Sequence, residues 1–316
     1  MHYLEFQENL FLKKSGSFCR GVTIADNSTN YDFSADDIQI YGHCTPSSAD
    51  LLSTRLSLCL DDIIFWCSSN RLLLNAEKSE FLWFSSKARK NLPPSSIRIG
   101  TSFVTPALSA RCLGVHIDSH LSFKTHVSKC VSACFCALRQ IRSVSRYVPR
   151  PLLRTLVTSL VISRLDYCLS ALYGITSVQT QRLQSVLNAS ARLIFSTNRF
   201  APVSPLLRAL KWLPIKLRID FRLALIAHSC RLRLAPDYLV SEVQDVASVA
   251  GRRHLRSSDS SSVLVPFVRR PTLGGRSFSV AASRAWNSLP PHLRTIDNPR
   301  SFKKQLKAHF LKLYSC

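Results

Sequence analysis

The spacing of the apolar residues changes at Asp118, and this change constrains the fold more than any other feature of the sequence. Before it, short runs alternate as strands do, in FSADDIQIYG, KSEFLWFSS, IRIGTSFVTPA and ARCLGVHID. After it, apolar residues recur about every 3.6 positions over long stretches, which is the period of an amphipathic helix. The pattern predicts an α+β chain, with a small antiparallel sheet and a helix followed by a helical bundle and a mostly helical end.

The part before Asp118 is predicted to hold a β-hairpin, a helix and three further strands. The hairpin runs from Phe33 to Tyr41 around two adjacent acids. Apolar residues between Leu51 and Ile64 have helical spacing, with Ser47, Ser48 or Asp50 placed to cap the helix. KSEFLWFSS, IRIGTSFVTPA and ARCLGVHID are each predicted to form one strand.

Three helices with short connections are predicted after Asp118, as in a small bundle. The first stops before Pro149, the second begins with Pro151 and ends at Gly174, and the third is capped by Ser177. Further helices are predicted in PIKLRIDFRLALIAHSCRLRL and in NPRSFKKQLKAHFLKLY. One face of the last helix carries apolar residues, namely Phe302, Leu306, Phe310 and Leu313. Between these two helices, the run ASVAGRRHLRSSDSSS has the composition of a linker.

Charge is distributed very unevenly along the chain. The sequence has 42 Lys and Arg against 19 Asp and Glu, a formal net charge of +23. Residues 1–110 hold 10 basic and 11 acidic residues, whereas residues 111–200 hold 12 and 2, and residues 201–316 hold 20 and 6. Such a field attracts polyanions, and Arg matches phosphate geometry better than Lys does. RNA or DNA is therefore the expected partner; the alternative is a surface that is basic without a nucleic-acid role.

The arginines form two candidate nucleic-acid contacts. Arg139, Arg142 and Arg146 have i, i+3, i+7 spacing, which projects them to one side of a helix, and Arg150 and Arg154 follow. The densest group in the tail comprises Arg252, Arg253, Arg256, Arg269 and Arg270. Trp212 and Trp286 are candidates for stacking on unpaired bases, although packing against a helix end is the commoner use of such residues.

The cysteines and the first residues predict an intracellular chain, in the cytoplasm or the nucleus, that is not secreted. Most cysteines fall in apolar runs and are expected to be buried thiols in a reducing compartment, namely Cys59, Cys67, Cys134, Cys168 and Cys230. His126, Cys130, Cys134 and Cys136 suggest zinc, but the first three fall on one helical stripe, which favours a core. MHYLEFQENL lacks the apolar core of a secretory signal, and no apolar run reaches the ~18 residues that span a bilayer.

Five segments, in order, resemble the second half of a non-LTR (LINE-type) retrotransposon reverse transcriptase. They are FSADDIQIY, WCSSNRLLLNAEKSEFLWF, CLGVHIDSHLSFKTHV, SRLDYCLSALYG and the tail GGRSFSVAASRAWNSLPPHLR with NPRSFKKQLKAHFL. The resemblance begins at about Tyr31, after an unassigned leader (1–30). It implies a partial palm (31–120), a helical thumb (121–198), a helical C-terminal region (199–248) and a basic linker with a helical tail (249–316).

The resemblance also implies roles for particular residues. Where the family's palm hairpin reads Tyr-Ala-Asp-Asp, this chain has Ser34-Ala35-Asp36-Asp37, so Asp36 and Asp37 match the pair that binds Mg²⁺. Lys78 matches the palm lysine that helps to protonate the leaving pyrophosphate. Leu113-Gly114-Val115 matches the strand that holds the primer end, and the helices from Phe123 to Phe195 match the thumb that clamps the duplex.

The chain departs from the family upstream of the hairpin. Two-metal phosphoryl transfer needs carboxylates that bridge both ions, and the family takes its third Asp from a distant upstream strand. Only about thirty residues precede the hairpin, and Asp26 and Asp32 are the only acids near enough. The fingers, the first palm strand and the glycine motif are therefore expected to be absent from this chain. Asp61-Asp62 is the same dipeptide within a helical pattern, where solvent exposure is expected.

The sequence therefore predicts a truncated reverse transcriptase that binds nucleic acid but does not polymerise alone. Two alternatives stay open. The chain is a working half that a missing N-terminal half completes in trans, or it is a decayed copy of an element without a selected function.

Overall fold

The computed structural model describes residues 8–13, 29–34, 37–84, 96–246, 261–269 and 272–315; before Ile40 it describes the backbone alone. The chain divides into two compact units, Met1–His126 and Val127–Cys316, called here the first and the second unit. The described strands lie in the first unit and most of the helical residues in the second. The α+β class predicted from the change in spacing is confirmed.

The first unit is built on a four-stranded antiparallel sheet with the order β2-β3-β1-β4. Its strands are β1 (Glu8–Lys13), β2 (Thr29–Ser34), β3 (Asp37–Cys44) and β4 (Glu80–Trp83). The expected hairpin is β2–β3. The expected helix is α1 (Ala49–Ser69), and Ser48 occupies its N-cap position without a side-chain cap bond. Burial of Leu56 and Ile63 against Ile40 and Phe81 joins the helix to the sheet, as its apolar spacing requires.

Two runs that were predicted to be single strands are each a hairpin. IRIGTSFV forms β5 (Ile97–Ile99) and β6 (Ser102–Val104), and ARCLGVHID forms β7 (Ser109–Cys112) and β8 (Val115–Asp118). The two-residue turns require the left-handed region, with φ of 60° at Gly100, 44° at Leu113 and 84° at Gly114. The prediction was wrong because a two-residue turn interrupts the alternation too briefly to be recognised.

The second unit is helical, and the helices expected from the 3.6-residue spacing are present. The described helices, which include the unpredicted α6 and α9, are α2 (Lys124–Val144), α3 (Arg150–Val157), α4 (Ser163–Asp166), α5 (Ser177–Ile194), α6 (Val203–Leu210), α7 (Ile215–Arg231), α8 (Asp237–Val240), α9 (Phe278–Asn287), α10 (Pro291–Arg294) and α11 (Pro299–Ser315). On α11, Phe302, Leu306 and Phe310 are buried as expected, but Leu313 is exposed. The linker expected around 247–260 lies outside the described residues.

The second helix of the predicted bundle is broken into segments. After α3, a π turn (Thr158–Ile162) leads into α4, and a 3₁₀ turn (Leu169–Leu172) follows. Between these segments Cys168 has a φ of 49° and is exposed, so its predicted burial was wrong. The Sγ of Cys134, on α2, lies 3.8 Å from the carbonyl oxygen of Val161 in the π turn.

The chain turns sharply at Gly174, where two segments distant in sequence meet. Gly174 has a φ of 72°, and a Cβ atom there would lie 2.6 Å from Cγ of Arg276. The Nε of Arg276 donates to the carbonyl oxygen of Tyr173 at 3.2 Å. After this turn α5 is capped by Thr176, not by Ser177 as predicted, in a capping box with Gln179.

Candidate nucleic-acid interface

The five arginines predicted on the bundle are all exposed. Arg139 and Arg142 lie on α2 and are exposed, whereas Val131, Cys134 and Ile141 of the same helix are buried. The predicted helical spacing does not extend to the third arginine, because α2 ends at Val144. The five residues, Arg139, Arg142, Arg146, Arg150 and Arg154, are called here the arginine row; Arg146 lies in the turn after α2, and the last two lie on α3.

Little negative charge opposes the arginine row. Between Ser119 and Ile219 the sequence contains a single acid, Asp166. Its Oδ1 accepts from Nη1 of Arg218 at 2.6 Å, and its Oδ2 lies 3.3 Å from Nη2 of Arg222. Because this carboxylate is already paired with two guanidinium groups, the positive field of the row is left uncompensated by this stretch of chain.

One end of the helical unit brings together two loops that carry aromatic rings. The guanidinium carbon of Arg150, at the start of α3, lies 4.9 Å from the centre of the Phe195 ring, which follows α5. Beyond Phe195, Asn198 accepts backbone hydrogen bonds from Phe200 (3.0 Å) and Ala201 (2.9 Å). The contact of Arg150 with Phe195 thus brings the start of α3, directly after the turn that follows α2, next to the end of α5.

Sequence reasoning missed the exposed aromatic residues of these two turns. Tyr147 is 86% exposed and Phe200 is 78% exposed. Arg199 lies over the Phe200 ring at 4.7 Å. Each ring directly follows an arginine in the sequence, in Arg146-Tyr147 and Arg199-Phe200. That Arg-aromatic dipeptide in a polar connection is the signal that would have found them.

The tryptophans considered for base stacking are buried. Trp286 is fully buried, and its Nε1 donates to the carbonyl oxygen of Ser261 at 2.8 Å. Trp212 is also buried. Packing, the commoner use of a tryptophan beside a helix end, is confirmed for both.

Of the tail arginines the structure describes one. Arg269 is exposed and already has an interaction within the chain. Arg252, Arg253, Arg256 and Arg270 lie outside the described residues. Their proposed role stays a prediction.

The backbone register places Lys78 and Asp37 at the same end of the sheet. Lys13 of β1 lies opposite Gln39 of β3 and opposite Glu80 of β4. Asp37 lies two residues before Gln39, and Lys78 lies two residues before Glu80. Because β1 lies between β3 and β4, the axes of these two strands are separated by about 10 Å, twice the strand spacing. Lys78 is exposed in a short 3₁₀ turn capped by Asn75.

The structure describes the acidic pair only through the backbone of Asp37. Asp36 and the side chain of Asp37 lie outside the described residues; β2 ends at Ser34, directly opposite Asp37 in the register. Leu113 and Gly114, matched to a primer-holding strand, form the turn between β7 and β8. The described residues do not form a site that fits Mg²⁺, and no catalytic step follows from them.

The residues weighed as zinc ligands have other roles. His126 is buried, and its Nδ1 accepts from the backbone N–H of His116 at 3.4 Å; burial, with a smaller effect of His116, lowers its pKa. The hydrogen bond between the Cys130 and Cys134 thiols lowers the pKa of Cys130 and raises that of Cys134. Cys136 is exposed. Among the residues that the structure describes, no three His, Cys, Asp or Glu side chains are grouped as metal ligands.

Comparison of the chain with family models, curated proteins and solved structures gives no match. Within the described ranges, no helix combines the length and apolar character needed to cross a membrane.

Proposed function

We propose that this chain is a truncated non-LTR retrotransposon reverse transcriptase that binds RNA or DNA and does not polymerise alone. The observation that carries the binding part is the arginine row, whose five side chains are exposed along α2, the following turn and α3. The single acid in the surrounding hundred residues is paired with Arg218 and Arg222. A surface of this kind holds phosphates through charge and distinguishes sequences poorly.

Binding through phosphates makes a quantitative prediction about salt. The affinity for single-stranded RNA falls with salt on a log–log plot with a slope of about −0.7 for each phosphate neutralised. Replacing Arg139, Arg142 and Arg146 by Gln is expected to make the slope shallower by about two. Filter binding or fluorescence anisotropy at several salt concentrations measures the slope for the unmodified chain and for the variant.

The matched control replaces three other exposed bases by Gln. Lys303, Lys304 and Lys307 lie on α11 and change the net charge by the same amount. If both triple variants lose the same affinity and the same slope, total charge and not the arginine row binds the nucleic acid. Binding of the unmodified chain that does not change with salt contradicts the proposal altogether.

The polymerase part of the proposal rests on the resemblance, supported by the shared sheet end of Asp37 and Lys78. Because β1, the described strand upstream of the hairpin, places its one acid, Glu8, opposite Cys44 and thus away from the Asp37 end of the sheet, we expect no primer extension by the chain alone with Mg²⁺. Extension that the Asp36→Ala variant abolishes contradicts this expectation. Extension that arises only after a separate N-terminal half is added supports the alternative of a site completed in trans.

A further inference from the structure

The exposed rings at the end of the helical unit suggest a more specific ligand than a polyanion. This inference rests on the proposed nucleic-acid binding. Contact between Arg150 and the Phe195 ring joins the turn that carries Tyr147 to the segment that leads to Phe200. Both rings are mostly exposed, at 86% and 78%. Because these two aromatic side chains are mostly exposed, they contribute little of the stability that a buried ring usually gives.

Short hydrogen bonds fix the backbones beneath both rings. The N–H of Tyr147 donates to the carbonyl oxygen of Val144 at 3.0 Å, directly after the last turn of α2. In the turn after α5, Oδ1 of Asn198 accepts hydrogen bonds from the backbone N–H groups of Phe200 and Ala201. Nη2 of Arg192 donates to the carbonyl oxygen of Ala201 at 3.1 Å. Both rings are therefore presented from ordered turns, so that a ligand would meet a surface that is already formed.

Cationic groups accompany each ring. Arg146 and Arg150 flank Tyr147 in the sequence, and Arg199 lies over the Phe200 ring. A guanidinium group that covers one face of a ring leaves the opposite face open, and its N–H groups still point outward to phosphates. Alternating rings and cations of this kind occur where proteins bind single strands, because each unpaired base has a face to stack and each nucleotide carries a phosphate.

We propose that Tyr147, Phe200, Arg146, Arg150 and Arg199 form a platform that binds single-stranded nucleic acid, with the two rings stacking on unpaired bases. It is called here the bundle-end platform. A duplex is a poor ligand for the rings, because its bases are already paired and stacked and offer no free face. The bundle-end platform thus gives the chain a preference for unpaired strands that the arginine row alone does not supply.

Three ligands of equal length separate stacking from charge. They are an unstructured single-stranded RNA, the corresponding duplex, and an abasic strand with the same phosphates. We expect Tyr147→Ala and Phe200→Ala each to weaken binding of the single strand by about 5- to 150-fold, which corresponds to the loss of one stacked base at about 1–3 kcal/mol. Affinities for the duplex and for the abasic strand are expected to stay unchanged.

Conservative and matched variants complete the experiment. Tyr147→Phe and Phe200→Tyr keep a ring and are expected to bind the single strand as the unmodified chain does. Tyr238→Ala and Phe103→Ala remove rings that are 71% and 69% exposed elsewhere, and are expected to have no effect.

The bundle-end platform is ruled out if the Tyr147→Ala and Phe200→Ala variants bind the single strand with the affinity of the unmodified chain. It is also ruled out if their affinity for the abasic strand falls by the same factor as their affinity for the single strand. Either result leaves salt-dependent binding through the arginine row intact. If instead the unmodified chain binds none of the three ligands, the proposed function fails as well.

Discussion

At the scale of single residues, His228 shows how burial sets a protonation state. Its ring stacks on Phe302 with centroids 4.0 Å apart, and Trp286 lies 6.0 Å away on centroids. Nε2 of His228 lies 2.7 Å from the carbonyl oxygen of Ile296, so it carries the proton and donates. Burial lowers the pKa of His228, and the hydrogen bond to Ile296 opposes this only in part.

The lowered pKa of His228 predicts a loss of stability in mild acid. In the unfolded chain His228 has a pKa of about 6.5 and binds a proton as the pH falls below that value, whereas in the folded chain it stays neutral to lower pH. The free energy of unfolding therefore decreases as the pH falls from the unfolded pKa toward the lowered folded pKa. We expect the urea midpoint to decrease between about pH 7.5 and pH 5.5. Far-UV circular dichroism of urea titrations at several pH values measures this midpoint.

The His228→Gln variant is the control for this pH dependence. Glutamine retains an N–H donor for Ile296 but does not titrate. The variant is less stable at neutral pH because the ring stack is lost, and its stability depends less on pH. His126 and His309, whose pKa values are also lowered by burial, leave some dependence of the same sign. A pH dependence as steep as that of the unmodified chain contradicts the role of His228.

At the scale of elements, an ion pair joins α4 to α7. Asp166 ends α4, where its side chain is 22% exposed, and Arg218 in the first turn of α7 is 10% exposed. Nε of Arg218 also donates to the carbonyl oxygen of Leu213. The aspartate of the run SRLDYC is thus a structural anchor that keeps the broken second helix against α7.

Removing one partner of this pair is expected to destabilise the second unit. Asp166→Asn leaves Arg218 largely buried without its counter-ion, at a cost near the lower end of the ~3–5 kcal/mol typical of broken buried pairs. Asp61→Asn is the matched control, because it breaks a pair with Arg98 whose side chains are 39% and 44% exposed. Exposed pairs contribute about 0–1 kcal/mol. Equal losses in urea unfolding for the two variants contradict the anchoring role.

At the scale of the whole molecule, each unit has its own buried core. In the first unit α1 packs on Ile40, Phe81 and Trp83. In the second, Trp286 and Phe302 lie at the centre of a cluster that joins residues of α7, α9 and α11.

Because each unit has its own hydrophobic core, we predict that the chain unfolds cooperatively. We expect the purified chain to lose helical circular dichroism and tryptophan fluorescence in steep transitions with urea, because buried side chains unpack together. Trp83 in the first unit and Trp286 in the second report on each core. A gradual loss of signal, with a hydrophobic dye bound before denaturant is added, supports the decayed copy instead.

Local patterns determined the elements but not their interruptions. The 3.6-residue spacing of the sequence predicted α2, α5, α7 and α11, because amphipathic helices need a buried stripe wherever they pack. It did not predict the break at Cys168 or the hairpin turn at Leu113, where residues adopt positive φ that sequence preference disfavours.

Sequence alone determined the class of the fold, the uneven charge and the exposure of the arginine row, since spacing and charge are local properties of the chain. Only the tertiary structure decided which aromatic residues remain accessible. It buries Trp212 and Trp286 and exposes Tyr147 and Phe200. It also pairs Asp166 with Arg218, fifty-two residues away. Burial and pairing depend on segments distant in sequence, which no local pattern specifies.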